Sequence, residues 1–163
     1  MIFLTVTIAS RAEELFLSQK EMQILRQRIL FLILNLYQQG YRDFYTNGAW
    51  GVPLWSAELL CILKKSYPEL SLHLVLPHEH QADQWLMPMK KRYQKIKLFA
   101  DTIQYISVSG DRHSFQKADR FMIDQSDLLL FYGKQGFLNY SPQYCSTGIE
   151  IYAKSNYTPI RYI

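Results

Sequence analysis

The chain has 163 residues, of which 48% are hydrophobic, 20% charged and 15% aromatic, a balance that excludes a disordered polypeptide and fits one ordinary domain over residues 1–163. The formal net charge of +4 comes without any long basic block, so it suits an anionic small molecule and disfavours a nucleic-acid partner. The two cysteines, Cys61 and Cys145, form no CxxC pair, which argues against a disulfide framework or a zinc site and fits a cytoplasmic protein.

Residues 2–8 are β-branched and aromatic and read as a buried strand. No basic segment precedes them, so no signal peptide is expected. Ser18 and Glu21 have capping-box spacing, and Leu25, Ile29, Leu32 and Leu36 then recur at helical spacing until Gly40. The apolar run 29–36 is too short to cross a bilayer, so no membrane partner is expected. Residues 42–46 form a second strand. Pro53 suits the first turn of a second helix, which runs to about Ser66 and is blocked by Pro68.

Leu70–Leu76 reads as a third strand, and residues 82–99 as a helical region interrupted near Pro88. A strand at 102–108, a helix at 113–125 and a strand at 127–132 follow. A loop with Gly133 and Gly136, a helix from about Pro142 to Ser155 and a last strand at 157–163 complete the chain. This alternation predicts an α/β, Rossmann-like three-layer fold, with a mostly parallel sheet of five to six strands and helices on both faces.

In such a sheet ligands bind at the carboxyl ends of the strands. Asn47, Gly48, Ala49, Trp50 and Gly51 lie between a strand and a helix, where backbone amides at a helix start favour a phosphate; a tight turn that needs glycine for sterics is the competing reading. Arg11 follows the first strand and has the planar fork for a phosphate. Gly48→Val is expected to exclude the ligand and leave the fold largely intact. His78-Glu79-His80 lacks HExxH spacing and reads as a solvated loop, so no metal is expected. Gln81 and Trp85 stand at i and i+4, and on a helix they would present an amide and an indole to a base or sugar. Asp124 and Ser126 precede the fifth strand and read as structural, at the opposite end of the sheet. No nucleophile–base–orienter set and no GxSxG motif is present.

Three blocks then combine. They are Thr-Asn-Gly-Ala-Trp-Gly-Val-Pro-Leu-Trp-Ser-Ala-Glu (46–58), Leu-Val-Leu-Pro-His-Glu-His-Gln-Ala-Asp-Gln-Trp (74–85), and Asp119-Arg120 with Met-Ile-Asp-Gln-Ser-Asp (122–127). Together they resemble the YpsA-like branch of the SLOG superfamily. The resemblance implies a fold related to the DNA-processing protein DprA and to the LOG phosphoribohydrolases. It also implies a nucleotide or nucleotide-derived ligand, bound in the manner of a sensor, with no certain cofactor. The ligand-facing residues it implies are Gly48, Ala49, Gly51, Glu58 and Arg11, with Gln81 and Trp85 behind them. Two alternatives come with it. One is a nucleotide-processing hydrolase in which Glu58 is the acid–base or ribose-contacting group; the other is DprA-like binding of single-stranded nucleic acid. The chain lacks the PGGxGT-type loop of the LOG enzymes, which disfavours the hydrolase. A homodimer is expected by family analogy alone.

Overall fold

A computed structural model describes residues 2–111, 113–133 and 147–163. Six strands form one parallel sheet: β1 (Leu4–Ser10), β2 (Tyr41–Thr46), β3 (Ser71–His78), β4 (Thr102–Ser107), β5 (Leu128–Tyr132) and β6 (Ile160–Tyr162). Their order is β4-β3-β2-β1-β5-β6, and every pairing is parallel. The helices are α1 (Gln19–Gln38), α2 (Val52–Leu63), α3 (Met87–Phe99), α4 (Ser114–Asp124) and α5 (Thr147–Ser155), with a short 3-10 turn at Glu13–Phe16. The expected α/β, Rossmann-like three-layer architecture is therefore present.

The sheet's two-residue period sorts side chains between two cores. Ile8, Leu74, Leu76 and Leu130 pack with Leu25, Ile29 and Ile33 of α1, Leu54 and Trp55 of α2, and Tyr93 and Ile96 of α3. Their neighbours Ala9, Leu129 and Phe131 turn the other way, onto Ile123 of α4 and Ile149 and Ala153 of α5. Val75 meets Ala118 and Met122 of α4 on that same side. Among the described residues, three helices thus cover one face and two the other. β1 from Val6 onward and β5 up to Phe131 are buried on both faces, β5 as a continuous apolar run and β1 with Thr7 and Ser10 among its buried residues.

The start of α1 follows its sequence signal. Ser18 Oγ accepts the Glu21 amide at 3.3 Å, and a Glu21 carboxyl oxygen accepts the Ser18 amide at 2.8 Å, which closes the capping box. Gly40, at φ 98°, ends the helix and turns the chain into β2. Residues 82–99 depart from the expected single interrupted helix. Residues 79–84 are turns, and α3 begins only at Met87, so Pro88 sits in the first turn rather than at a break. The missing N–H of proline suits a helix start as well as it spoils a helix interior. The expected helix start near Pro142 lies outside the described residues; α5 is described from Thr147.

Ser126 and Asp127 do lie at the amino ends of the strands. Ser126 Oγ bonds Thr7 Oγ1 at 2.7 Å, and Asp127 takes the Thr5 amide at 2.8 Å. These contacts fix β5 against β1 at the end of the sheet opposite the carboxyl edge.

Candidate functional site

At the carboxyl edge of β1, β2 and β3 there is a cleft of about 150 Å³. Ser10 at the end of β1, Asn47 just beyond β2 and His78 at the end of β3 line it. Trp50, Trp85 and Phe115 supply aromatic walls, and Ala12, Ala49, Pro53 and Gln81 complete the lining. Among the described residues, no Lys or Arg faces it.

The walls are held from behind. Trp85 meets Tyr93 edge-on at 5.2 Å between ring centroids and meets Trp50 at 6.3 Å. The Arg92 guanidinium lies over the Trp50 ring at 4.9 Å. Gln81 Nε2 donates to the Asn47 carbonyl at 3.1 Å and to the Tyr93 hydroxyl oxygen at 3.2 Å. Burial pushes the Tyr93 phenol up to about 12, so it stays neutral in this setting. Asn47, which is itself buried, accepts the Ala49 amide on its side-chain oxygen at 3.0 Å and so shapes the turn. Gln81 and Trp85 therefore reach one cleft, but through the turns at 79–84 that fold over the end of β3. The helix that the i, i+4 argument assumed is absent there.

The start of α2 is not open to a phosphate as the sequence predicts. The Val52 amide donates to Glu14 Oε1 at 2.9 Å, Pro53 has no amide hydrogen, and the Leu54 amide donates to the Ala49 carbonyl at 3.0 Å. Glu14 is fully buried in the 3-10 turn after β1, and its Oε1 also accepts the Ser10 hydroxyl at 2.6 Å. Burial raises its carboxyl above the ordinary value, against the opposing pull of the Ser10 and Val52 hydrogen bonds. Glu14 Oε2 is buried without a hydrogen-bond partner.

The glycines turn away from the cleft. Gly51, at φ 108°, packs on Glu14: a Cβ there would stand 2.3 Å from Glu14 Oε1. Gly48, at φ 67°, faces the core, where a Cβ would meet Leu76 Cδ2 at 3.2 Å and Tyr93 Cε2 at 3.3 Å. Its tolerance of positive φ and its lack of a side chain serve packing, so Gly48→Val is expected to disturb the fold first.

Arg11 and Glu58 are placed elsewhere. Arg11 is buried, with its guanidinium on the Glu150 carboxylate of α5 and at 5.4 Å from the Phe131 ring centroid. Tyr162 donates to the other Glu150 oxygen at 2.7 Å. This pairing balances the Arg11 charge near the point between β1 and β5 where the strand order reverses, so Arg11 acts within the fold and not in the cleft. Glu58 lies in a separate groove of about 260 Å³ between α2 and α3. There it accepts Arg92 Nε at 2.6 Å and Arg92 Nη2 at 2.7 Å, a bidentate pair. Cys61 borders that groove, only partly buried, and burial raises its thiol.

The cleft thus gathers Asn47, Ala49, Trp50, Gln81 and Trp85 from the expected set. Sequence reasoning missed Ser10, Ala12, Pro53, His78 and Phe115. Ser10 and His78 carry a usable signal, because each ends a strand. Phe115 carries none, since α4 brings it in from the opposite layer, where its ring meets His78 edge-on at 6.4 Å between centroids. His78 Nδ1 accepts the His80 amide at 3.1 Å, and the exposed His80 pairs with Asp83 at 2.9 Å. Among the described residues no three His, Cys, Asp or Glu side chains come together as a metal site would need, and no helix is long and apolar enough to cross a membrane.

Residues 11–163 match the YpsA family model, described as the YspA SLOG family. The chain belongs to this SLOG family. It is similar to UPF0398 proteins. It is 29% identical to one from Staphylococcus saprophyticus over 143 residues, covering 85% of this chain and 74% of the relative. It is 32% identical to one from Lysinibacillus sphaericus over 124 residues, covering 74% and 68%. The fold of this SLOG chain also resembles the solved structure of DNA processing protein A from Helicobacter pylori, with a TM-score of 0.63 at 15% identity. The match takes in 98% of the present chain and 64% of that protein.

Proposed function

We propose that the cleft at the ends of β1, β2 and β3 binds a nucleotide or nucleotide-derived small molecule, as a cytoplasmic sensor and not as a hydrolase. The observation that carries this reading is the wall of Trp50, Trp85 and Phe115 around the side chains of Asn47 and Gln81. Flat aromatic faces stack on bases, and amides read their edges. The location at the carboxyl edge of a parallel sheet is where such folds take ligands.

The two rival readings find less support. Glu58, the acid–base candidate of a hydrolase, stands outside the cleft with both carboxyl oxygens on Arg92. The Helicobacter pylori protein is described as binding single-stranded DNA. A strand-binding groove needs cations along the backbone path, and the described lining of the cleft has no Lys or Arg.

Titration of nucleosides and nucleotides against the intrinsic tryptophan fluorescence tests the proposal. Trp85→Ala is expected to weaken the best ligand about tenfold, the worth of one base–aromatic stack. Absence of saturable quenching by any of them, or unchanged affinity in Trp85→Ala, overturns it.

A further inference from the structure

The start of α2 is where an α/β fold of this kind ordinarily seats a phosphate. Here that seat is taken from within. Glu14 reaches it from the turn after β1, accepts the Val52 amide at 2.9 Å, and packs so close to Gly51 that a Cβ at Gly51 would stand 2.3 Å from its Oε1. The remaining first-turn amides are spoken for: Pro53 has none, Leu54 donates to Ala49 O at 3.0 Å, and Trp55 to Gly51 O at 2.9 Å. Glu14 is 0% exposed. Its Oε2 has no hydrogen-bond partner, so the second oxygen does nothing for the cap. The neighbouring cleft offers nothing in compensation, because no Lys or Arg lines it among the described residues. At about 150 Å³ it is also smaller than the ~300–1,000 Å³ usual for sites that enclose a drug-sized ligand.

We propose that Glu14 shuts the phosphate seat, so that the cleft selects the base or nucleoside part of its ligand and gains no affinity from a 5′-phosphate. The inference rests on the nucleotide-binding reading above and names the moiety that is held. Trp85, Trp50 and Phe115 stack on the base, and the Gln81 amide oxygen, which has no hydrogen-bond partner, accepts from its edge beside Asn47. Any phosphate points away from the start of α2. Glu14 is in this sense a specificity-determining residue that touches no part of the ligand.

The test is a fluorescence titration of the full chain with adenosine, guanosine, cytidine and uridine, each beside its 5′-monophosphate, and with inorganic phosphate as competitor. Wild type is expected to bind its best nucleoside within about threefold of the matching monophosphate, with no competition from phosphate, because a helix-terminus contribution of ordinary size is missing. Glu14→Gln keeps the seat filled and is expected to match wild type. Glu14→Ala opens the seat, frees the Val52 amide, and is expected to favour the monophosphate by about tenfold, with phosphate now competing. A wild type that prefers the monophosphate tenfold overturns the role of Glu14 while leaving the nucleotide-binding reading intact. So does a folded Glu14→Ala with the wild-type ratio. If Glu14→Ala does not fold, the wild-type and Glu14→Gln ratios decide alone. Binding of neither nucleoside nor monophosphate overturns both readings.

Discussion

Replacing Gly48 with alanine is expected to cost stability first and ligand affinity only as a consequence. Gly48 holds φ at 67°, in the left-handed region. An L-residue there costs about 1–2 kcal/mol. The new Cβ would also press on Leu76 Cδ2 at 3.2 Å and Tyr93 Cε2 at 3.3 Å. Both neighbours are buried in the core beneath α3, so they yield poorly, and overpacking of that kind costs about 1–3 kcal/mol. The sum is about 2–5 kcal/mol. For a chain of this size each kcal/mol moves the midpoint by about 2–4 °C, so Tm is expected to fall by about 4–20 °C. Thermal unfolding followed by far-UV circular dichroism measures this directly. A Gly48→Ala protein that melts within about 2 °C of wild type yet loses ligand binding would refute the argument, and would return Gly48 to the ligand-facing role that its loop position implies.

Two further outcomes follow from the same geometry. Glu58→Gln breaks the charge in the bidentate pair with Arg92, whose side chain is 35% exposed, so solvent screening limits the loss to under about 1 kcal/mol in a urea melt. Ligand affinity should be unchanged, and a tenfold loss would bring Glu58 into the site. Glu14 makes stability depend on pH in a fixed direction. Burial raises its folded-state carboxyl above the unfolded value, so the folded chain holds that proton more tightly. Its contribution is complete below the unfolded value and is lost as pH rises through the raised one. Wild type should therefore lose stability relative to Glu14→Gln as pH rises from the ordinary carboxylate range through the raised folded-state value, as read from urea midpoints. A constant difference across that range would show that Glu14 does not titrate abnormally.

The fold was legible where the controlling interactions are local. Ser18 and Glu21 announce the start of α1 because the two hydrogen bonds that close the box span three residues. Gly40 ends the helix for an equally local reason, a backbone angle that other residues resist. Pro88 is ambiguous in the sequence because the same missing amide hydrogen marks either a break or a beginning, and only the position of the first turn decides. Gln81 and Trp85 arrive in the cleft by a route the i, i+4 rule does not describe. Their placement depends on Asn47 and Tyr93, which bind Gln81 from other elements.

The start of α2 shows why the site itself was less legible than the fold. A glycine-bearing turn followed by a helix correctly predicts a place that favours an acceptor oxygen. Nothing in that stretch says whose oxygen it is. The donor amide at Val52 and its acceptor Glu14 are 38 residues apart, and the two meet only because β1 and β2 are neighbours in the sheet. Ser10 and Glu14, four residues apart, hold the only local trace of this, since the hydroxyl of one fixes the carboxyl of the other. The rule for helix starts therefore identifies an acceptor site, and the sheet order determines whether that site is left for a ligand. Here Glu14 takes it, and under the proposed reading the aromatic walls and the amides opposite them supply the binding energy.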